Sequence, residues 1–577
     1  MDRQQQRNIL IAIALSAAIL FGFQYLFPQP HPPATPPATG EQAPGATPAP
    51  TANQSPTQAP STLAAAAAKP RGEVLAAAPR VKIKTPTVSG SIDLMGARID
   101  DLTLDKYHET IDPSSSTIEL LSPDGSEHPY FAEFGWVAGA GSVKLPDQST
   151  QWTASAAQLT PAHPVDLTWD NGQGLRFVRH YAVDDNYMFT VTQTVENNSA
   201  EPVTLVPYGL ISRTGNPVSS STYILHEGPI GVLGGTLKEI KYTELKPGQP
   251  AEFKSTGGWL GITDKYWLAA LVPDQQEGLK ARFTHVERDH AEVYQVDYTG
   301  SERVIPAHGN ASAAGHLFAG AKEVHLLDIY ESELQIPLFD HAIDFGWFYW
   351  ITKPIFLALD YIYRWIGNFG IAILMLTVLI KLIFFPLANK SYRAMSKMKL
   401  VQPEMQKLRE RFGEDKARLN QEMMALYKRV GANPMAGCLP IVIQIPVFFS
   451  LYKVLYVTIE MRHAPFYGWI HDLSAPDPTT FINLFGLLPF TPPPISFLMV
   501  GALPIVMGLT QFLQQKLSPQ TMDPVQARMF MILPVVFTYM LAQFPAGLVL
   551  YWTWNNLLSI GQQWLIMRRA TAAPATA

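Results

Sequence analysis

The chain of 577 residues contains a single cysteine and no excess of basic residues. Cys438 has no second cysteine to pair with, so no disulfide can form within the chain. The net charge of −5 argues against a nucleic-acid-binding protein, which normally carries a basic surface. The histidines of the polar middle region show no H-E-x-x-H or H-x-H spacing. These features predict no metal site and point to no cofactor or catalytic residue.

The N-terminus begins with an apolar segment and continues into a low-complexity region. Residues 1–27 contain Arg3 and Arg7, followed by about 20 apolar residues and no small-residue cleavage signal. This pattern predicts an uncleaved transmembrane anchor whose basic end stays in the cytoplasm. Residues 28–80 are rich in Pro, Ala, Thr and Gln and lack apolar periodicity, which predicts a semi-extended linker.

The middle of the chain has the pattern of a β domain. Residues 81–330 consist of short alternating runs separated by turn residues. In residues 189–197, threonines on one face alternate with apolar residues on the other, after the turn sequence Asp184-Asp185-Asn186. Because strands recur with few helical stretches, we expect a large β-sandwich. Nothing in its sequence requires an enzymatic activity, and a structural or partner-binding role is favoured.

An aromatic segment follows the β domain. Residues 338–367 are rich in Trp, Tyr and Phe but also carry charges. On a helix, Lys353, Asp360 and Arg364 share one face, and the last two form an i,i+4 pair. This combination is typical of a helix in the membrane interface, and a buried helix of the β domain is the alternative. Pro354 is expected to kink or divide the helix.

Five further apolar segments have the length of membrane spans, and with the anchor they total six. They are residues 368–389, 436–458, 495–515, 527–543 and 547–567. Charge supports this count, because residues 390–429 carry eleven Lys/Arg against five Asp/Glu, as expected of a cytoplasmic loop. The loop predicted on the far side, residues 461–494, carries only Arg462, although its apolar part, residues 481–494, is an alternative seventh span. Both ends of the chain, including the tail at residues 568–577, are then cytoplasmic.

The predicted cytoplasmic loop has helical periodicity. In residues 390–434, apolar residues recur at helical spacing on both sides of Gly413, which predicts an antiparallel helical hairpin. Five methionines give this hairpin an adaptable apolar stripe. They are Met395, Met398, Met405, Met423 and Met424. The stripe is either the ordinary core of a solvated hairpin or a landing surface for varied apolar clients and cytosolic machinery.

One cation lies within the predicted spans. Lys381 is part-way along residues 368–389. A lysine near the centre of a span costs about 2.5–3.5 kcal/mol and normally faces a polar cavity, whereas one near the end snorkels to the headgroups. This segment alone leaves both interpretations open. The five spans after the anchor contain no Asp or Glu that could pair with Lys381, which argues against a proton or ion relay and implies nearby water.

Polar residues elsewhere in the spans could surround this lysine. They are Thr377, Gln444, Tyr551, Trp552, Asn555, Asn556, Gln562 and Gln563. Thr377 lies one helical turn before Lys381, and Gln444 lies between Pro440 and Pro446. Taken singly, each such residue more often forms an interhelical hydrogen bond than a functional site.

Several collinear motifs resemble those of the YidC membrane protein insertases, the bacterial relatives of the mitochondrial and thylakoid insertases. The motifs are Thr377-VLIKLIFFPL, Gly437-CLPIVIQIPVFFSLY, Trp469-IHDLSAPDP, Phe544-PAGLVLYW and Asn556-LLSIGQQ. The resemblance extends from about residue 339 to residue 569. The anchor, the linker and the β domain are similar to the Gram-negative form of the family.

The resemblance implies a multidomain α and β protein of the bacterial inner membrane. Its six-span helical bundle, with five spans forming the insertase core, would be joined to a large periplasmic β-sandwich. It would insert and help fold nascent membrane proteins, alone or with the Sec translocon, without covalent chemistry. A hydrophilic groove would hold one positive charge, here Lys381, where arginine is usual. The residues implied to line the groove or the client path are Thr377, Gln444, Pro446, Tyr551, Trp552 and Asn556.

The resemblance also implies partners and leaves two other functions to compare. Contact with the ribosome or the signal recognition machinery is expected at the hairpin, because the tail at residues 568–577 lacks the basic extension of some relatives. A lysine-dependent transporter or channel is the main alternative, although intramembrane acids and repeat symmetry are missing. A membrane-anchored carbohydrate enzyme would not need so many spans.

Overall fold

The computed structural model describes residues 69–139, 143–215, 225–288, 291–413, 415–430, 439–488, 499–517 and 524–572. The predicted N-terminal anchor and the linker up to residue 68 lie outside these residues. Residues 489–498, within the predicted loop and fourth span, and residues 573–577 of the tail also lie outside them.

The described residues of the β-rich region form 20 strands in two sheets, numbered here in chain order. The first sheet contains β1 (Arg80–Lys84), β2 (Val88–Asp93), β3 (Ile99–His108), β4 (Thr117–Leu121), β5 (Tyr130–Ala138), β7 (Gln158–Leu159), β11 (Val203–Thr214), β14 (Ala251–Thr256), β17 (Gly278–Arg288), β18 (Ala291–Thr299) and β19 (Arg303–Ile305). Its main order is β14-β17-β18-β11-β5-β3-β2-β1-β7, with β19 paired to β11 and β4 to β3. The pairs are antiparallel except β1–β7.

The second sheet is entirely antiparallel. It contains β6 (Thr153–Ala154), β8 (Val165–Asp170), β9 (Leu175–Val183), β10 (Met188–Asn197), β12 (Gly228–Leu233), β13 (Thr236–Glu239), β15 (Trp259–Thr263), β16 (Trp267–Pro273) and β20 (Asn310–Ala321). Its order is β13-β12-β15-β16-β20-β10-β9-β8-β6.

Strand β10 shows how the alternating sequence produces this domain. Its threonines are half-buried, whereas Phe189 and Val191 are buried in the core shared by the two sheets. Asp184 Oδ1 accepts the backbone N–H groups of Asn186 and Met188 at 2.9 and 3.0 Å, which closes the predicted turn before the strand. The predicted β-rich region is therefore confirmed.

The remaining regular elements are helices. The α-helices are α1 (Arg71–Ala77), α2 (Val324–Glu333), α3 (Tyr349–Ile366), α4 (Phe369–Ile383), α5 (Phe385–Phe412), α6 (Lys416–Val430), α7 (Leu439–Val457), α8 (Ala502–Leu517), α9 (Pro524–Leu541) and α10 (Ala546–Ala572). Short 3-10 turns cover Tyr242–Glu244, Phe339–Ala342, Ile459–Met461 and Phe481–Gly486. The C-terminal region is therefore helical, as the sequence predicts.

Helix α3 is the α-helical part of the predicted interfacial segment. Pro354, expected to kink or divide the helix, lies inside α3 and does not divide it. Because Pro354 is close to the start of the helix, its missing N–H removes a single hydrogen bond, to the carbonyl of Trp350. The predicted ion pair is present, with Arg364 Nε 2.8 Å from Asp360 Oδ2.

The chain bends sharply after Lys381. Helix α4 ends at Ile383, and the chain continues as α5 at an angle of 63°. Pro386 lies in the first turn of α5, where its fixed φ is favourable and its missing N–H costs nothing. The apolar segment at residues 368–389 is therefore not one straight helix.

Helices α5 and α6 form the predicted antiparallel hairpin. Arg429 Nη2 donates to Glu404 Oε2 at 2.8 Å across the pair. Val401, Met405 and Leu426 are buried between the two helices. The hairpin therefore has a small apolar core of its own.

Among the described residues, no single helix is both long and apolar enough to cross a membrane. Helix α4 and the adjoining Phe385–Ala394 reach that length and hydropathy only as a bent pair. Two shorter apolar helical stretches cover Gln444–Val457 and Met531–Leu541.

Candidate functional site

The lysine of the apolar bundle contacts the last helix. Lys381 Nζ donates a hydrogen bond to Ser559 Oγ at 2.8 Å, and Ser559 Oγ donates to the carbonyl of Asn555 at 2.7 Å. Lys381 is half-buried and Ser559 is buried. No carboxylate of the described residues pairs with Lys381. The bundle therefore contains a positive charge whose described partner is a neutral hydroxyl.

The position of Lys381 at the end of α4 favours a cation. The last carbonyl groups of a helix carry a partial negative charge, and Lys381 lies in the final turn of α4. This field stabilises the ammonium group without a carboxylate. The position in the helix therefore accounts for a cation that no carboxylate of the described residues pairs with.

Helix α10 supplies a polar face to the interior of the bundle. Asn556 Nδ2 donates to Thr510 Oγ1 at 3.2 Å, and Gln563 Nε2 donates to the carbonyl of Leu517 at 2.9 Å, so both contacts join α10 to α8. Asn556 and Gln563 are almost completely buried. We call this group of polar side chains from α4, α8 and α10 the polar cluster. Its members are Lys381, Thr510, Asn555, Asn556, Ser559 and Gln563.

Three glutamine atoms near this cluster are buried without a protein partner. Gln511 Oε1, Gln562 Nε2 and Gln563 Oε1 make no hydrogen bond to the described residues. Buried amide groups without partners normally bind water. The region between α8 and α10 therefore has the chemistry of a hydrated interior.

A second contact brings two of the predicted site residues together. Gln444 Nε2 in α7 donates to the hydroxyl of Tyr551 in α10 at 2.9 Å. Trp552 is half-buried, and its ring lies edge-on to Phe448 with the ring centroids 4.7 Å apart. Pro446 is half-buried on the same helix as Gln444. Gln444, Tyr551 and Trp552 thus lie at the contact between α7 and α10.

Thr377 is buried, with its hydroxyl bonded within its own helix. It is 1% exposed, and its hydroxyl donates to the carbonyl of Ile373 at 2.7 Å within α4. Back-bonding of this kind satisfies the hydroxyl inside its own helix. Thr377 therefore lies in the packed interior, and Ser559, not Thr377, is the hydroxyl beside Lys381.

The methionines of the hairpin do not form one exposed stripe. Met405 is 3% exposed and Met423 packs partly buried against it, whereas Met424 is 55% exposed. The side chains of Met395 and Met398 lie outside the described residues. Antiparallel pairing buries one face of each helix, so Met405 lies in the core of the hairpin and Met424 on its surface.

Sequence reasoning missed Ser559 and Thr510 as members of the polar cluster. A signal for Ser559 was present, because it lies four residues after Asn555 and therefore on the same face of a helix. Thr510 has no comparable signal, since its contact with Asn556 joins two helices whose pairing the sequence does not specify.

Carboxylates that could hold a cation occur only outside the bundle in the part of the chain described. Asp328, Glu331 and Asp340 lie close enough together to share one ion. Lys353 Nζ already lies 2.8 Å from Asp328 Oδ1 and 2.6 Å from Asp340 Oδ2. Burial opposes ionisation of Asp340, but hydrogen bonds from neighbouring side chains, that of Lys353 among them, hold its pKa below the usual range. The lysine thus supplies the positive charge that a metal ion would supply.

Two family profiles together match most of the chain. A profile described as "YidC periplasmic domain" matches residues 80–358. A profile described as "60Kd inner membrane protein" matches residues 361–573. The boundary between them falls within α3 and before α4.

Several curated relatives are similar over nearly their whole length. The chain is 55% identical to the membrane protein insertase YidC of Nitrobacter hamburgensis, over 98% of this chain and 95% of that protein. It is 52% identical to the protein of the same name from Granulibacter bethesdensis, over 98% of both chains. For that of Rickettsia bellii the identity is 49%, over 97% of this chain and 98% of the relative.

Solved structures give weaker likenesses. An active YidC insertase structure with its first transmembrane domain resolved aligns at a TM-score of 0.36 and 16% identity, over 84% of this chain and 92% of that chain. A galactose mutarotase related enzyme from Lactobacillus acidophilus aligns at a TM-score of 0.30 and 9% identity, over 42% of this chain and 97% of that chain. Scores this low carry no argument about activity.

Proposed function

Since this chain belongs to the YidC family of membrane protein insertases, we propose that its clients enter the membrane beside the polar cluster around Lys381. The chain is a membrane protein insertase of the inner membrane and moves protein segments without making or breaking covalent bonds. The observation that carries the proposal is the bond from Lys381 to Ser559, which gives the lysine a neutral partner instead of a carboxylate.

The proposed mechanism uses this charge to lower the cost of moving polar groups through hydrocarbon. A nascent apolar segment first reaches the cytoplasmic hairpin, where Met424 remains exposed. The hydrophilic, often acidic flank of this client segment then replaces Ser559 as the hydrogen-bond partner of Lys381. Hydration around the polar cluster and local thinning of the bilayer reduce the several kcal/mol that a charge costs in lipid. The apolar segment finally slides along α7 and α9 into lipid, driven by its own burial.

The exposed surface of α9 suits such a path, because Val535 and Ile532 are 70% and 60% exposed. These apolar side chains would contact either lipid or an apolar client. On α7, Gln444, which is bonded to Tyr551, would face the client, whereas Ile445 and Phe449, 47% and 45% exposed, would face lipid.

We also propose the six-span topology, with both chain ends cytoplasmic and the β-sandwich periplasmic. The N-terminal anchor at residues 1–27 would be the first span. The excess of Lys and Arg in residues 390–429, against the single Arg462 of the opposite loop, supports this orientation. Five spans would then form the insertase core.

Helix α3 would lie in the periplasmic interface of the membrane. Trp350, Tyr361 and Trp365 are 72%, 63% and 82% exposed. Phe356 and Leu359 on the opposite face are completely buried. Tryptophan and tyrosine favour the level of the lipid headgroups, so this exposed face suits a helix parallel to the membrane surface.

The proposed partners are nascent membrane proteins, the lipid bilayer and the Sec translocon. Ribosomes or the signal recognition machinery would contact the hairpin formed by α5 and α6. The exposed arginines of the hairpin, with Arg429 71% exposed, support an acidic or RNA-rich partner surface there. No sequence-specific contact with nucleic acid is proposed.

Reconstitution tests the function against the transporter alternative. The purified full-length protein is incorporated into liposomes, and a small membrane protein with an acidic translocated flank is synthesised in their presence. Protease protection of that flank, above the level in protein-free liposomes, is the expected result. Flux of small ions or solutes without insertion would instead support the transporter or channel.

A further inference from the structure

The helix that carries Gln444 also carries a buried lysine towards its other end. Lys453 lies in α7, about 13 Å further along the helix axis than Gln444. It is 8% exposed, and its Nζ lies 2.8 Å from Asp344 Oδ2. Asp344 belongs to the segment between the β-sandwich and α3. This ion pair therefore connects α7 to the chain that leaves the β-sandwich.

Asp344 is itself held in a fixed position. Its Oδ2 also accepts the backbone N–H of His226 at 3.2 Å, next to β12 of the β-sandwich, and its Oδ1 accepts the N–H of Gly346 at 3.0 Å. Gly346 has a φ of 73°, and a Cβ added there would lie only 3.0 Å from Lys453 Cε. The segment thus lies directly on the stem of Lys453.

Further polar contacts join the same end of α7 to the β-sandwich and to α2. Glu460, in the 3-10 turn after α7, accepts the N–H of Val324 at the start of α2 through its Oε1 at 2.9 Å. Arg462 Nη2 donates to the carbonyl of His108 at the end of β3 at 2.6 Å. With the Lys453–Asp344 pair, these contacts hold the end of α7 at three points.

The opposite end of α7 makes the contact proposed to face the client. Gln444 Nε2 donates to the hydroxyl of Tyr551, so a shift of α7 along or around its axis would change this contact. Packed helices are bistable rather than continuously deformable, so a constraint at one end affects the other. The β-sandwich is therefore mechanically connected to the polar face of α10.

We propose that Lys453 is a positioning residue through which the β-sandwich sets the placement of the client-facing end of α7. The inference rests on the proposed function, because it takes Gln444 and Tyr551 to lie on the client path. A buried ion pair rarely adds more stability than apolar side chains of similar size would. Its advantage here is directional, because the Asp344 carboxylate that the ammonium contacts is already oriented by two backbone N–H groups.

The test uses the full-length protein in liposomes, with a photo-crosslinker at position 444 and a nascent membrane protein with an acidic flank. Lys453→Met and Asp344→Asn are expected to lower crosslinking and insertion per folded molecule by about two- to thirtyfold, the range produced by residues that couple two sites. Lys453→Arg, which keeps the charge, is expected to retain most of both. Asp344→Asn keeps the side-chain shape and carries the test if Lys453→Met does not fold.

A matched control separates positioning from general stability. Glu133→Gln breaks a similarly buried pair, in which Arg98 Nε lies 2.7 Å from Glu133 Oε2, inside the first sheet and without contact to α7. It is expected to lower the melting temperature but to leave crosslinking per folded molecule unchanged. Equal losses for Glu133→Gln and Lys453→Met, or native crosslinking in Lys453→Met, would overturn the inference. Failure of the proposed function is distinguishable, because the native protein would then neither crosslink at 444 nor insert the client.

Discussion

Replacement of Lys381 should affect clients according to the charge of their translocated flank. The described partner of Lys381 Nζ is Ser559 Oγ, a neutral acceptor at 2.8 Å. A carboxylate that took the place of this hydroxyl would form a charge-assisted hydrogen bond with the ammonium. Such a bond contributes about 1.5–3 kcal/mol net. Loss of this contribution corresponds to about a ten- to hundredfold lower rate of any step that depends on the bond.

Three substitutions divide this effect into charge and geometry. Lys381→Met removes the charge and should lower insertion of a client with an acidic flank by about ten- to hundredfold. Lys381→Glu adds repulsion to that loss and should be slower still. Lys381→Arg keeps the charge and should remain within about threefold of the native rate, because the guanidinium can form the same charge-assisted bond.

The assay compares two clients that differ only in the flank. One client has aspartates in the translocated segment, and the other has asparagines at the same positions. Insertion into liposomes is measured by protease protection, at equal amounts of folded protein. Lys390, which is exposed on α5, serves as the matched control, and Lys390→Glu should not alter the ratio between the two clients.

Two results would refute the electrostatic reasoning. Equal activity of Lys381→Glu and Lys381→Arg would show that the sign of the charge is irrelevant. An equal loss for the acidic and the neutral client in Lys381→Met would show that the lysine acts through packing. Added salt should have little effect on the difference, since screening is weak for a half-buried charge.

Three further predictions concern stability. Ser559→Ala leaves the ammonium of Lys381 with one partner fewer, so it should cost about 1–3 kcal/mol and lower the melting temperature in lipid nanodiscs, whereas Ser559→Thr should not. Burial raises the pKa of Glu460 to about 8, so near neutral pH the folded protein keeps a proton that the unfolded chain releases. The stability that this protonated side chain contributes is complete at acidic pH. It is lost as the pH rises towards 8. Glu460→Gln should therefore raise the melting temperature relative to the native protein at pH 8 but not at pH 5, and parallel curves would contradict this. Met405→Ala should destabilise the hairpin by about 2–5 kcal/mol in amide hydrogen exchange, whereas Met424→Ala should change it by less than about 0.5 kcal/mol.

Local pattern predicted the elements whose own sequence determines them. The alternation of threonine and apolar residues in β10 indicates which face is buried, and the structure buries that face. Apolar spacing on both sides of Gly413 likewise predicts the hairpin of α5 and α6. In both cases the periodicity alone is sufficient, because it matches one regular structure and its buried side.

Pairing across long stretches of chain was not predictable in the same way. Strand β10 pairs with β20, where Thr190 lies opposite His316, and the alternation gives a buried face without naming a partner. Two side-chain contacts likewise join residues that are far apart in the sequence, namely Lys381 with Ser559 and Lys453 with Asp344. Each depends on how helices pack, and helix packing allows many partners for one apolar face.

The candidate site residues were predicted chiefly from the family resemblance. In the structure, some of them form contacts between helices and others lie in packed interiors. Gln444 and Tyr551 are in direct contact, as a shared path would require. Thr377 and Met405 lie in packed interiors because a hydroxyl can bond within its own helix and a methionine can fill a hairpin core. Neither outcome is visible in residue type or spacing.

Photo-crosslinking to a nascent chain tests the proposed client path most directly. A crosslinking residue is placed in turn at 444, 446 and 552, and at the exposed neighbours Ile445 and Phe449 on α7, during synthesis of a small membrane protein. The account predicts crosslinks to the client at the first three positions and mainly to lipid at the two neighbours. Client crosslinks at Ile445 and Phe449 but not at 444, 446 or 552, in folded protein that inserts the client, would contradict it.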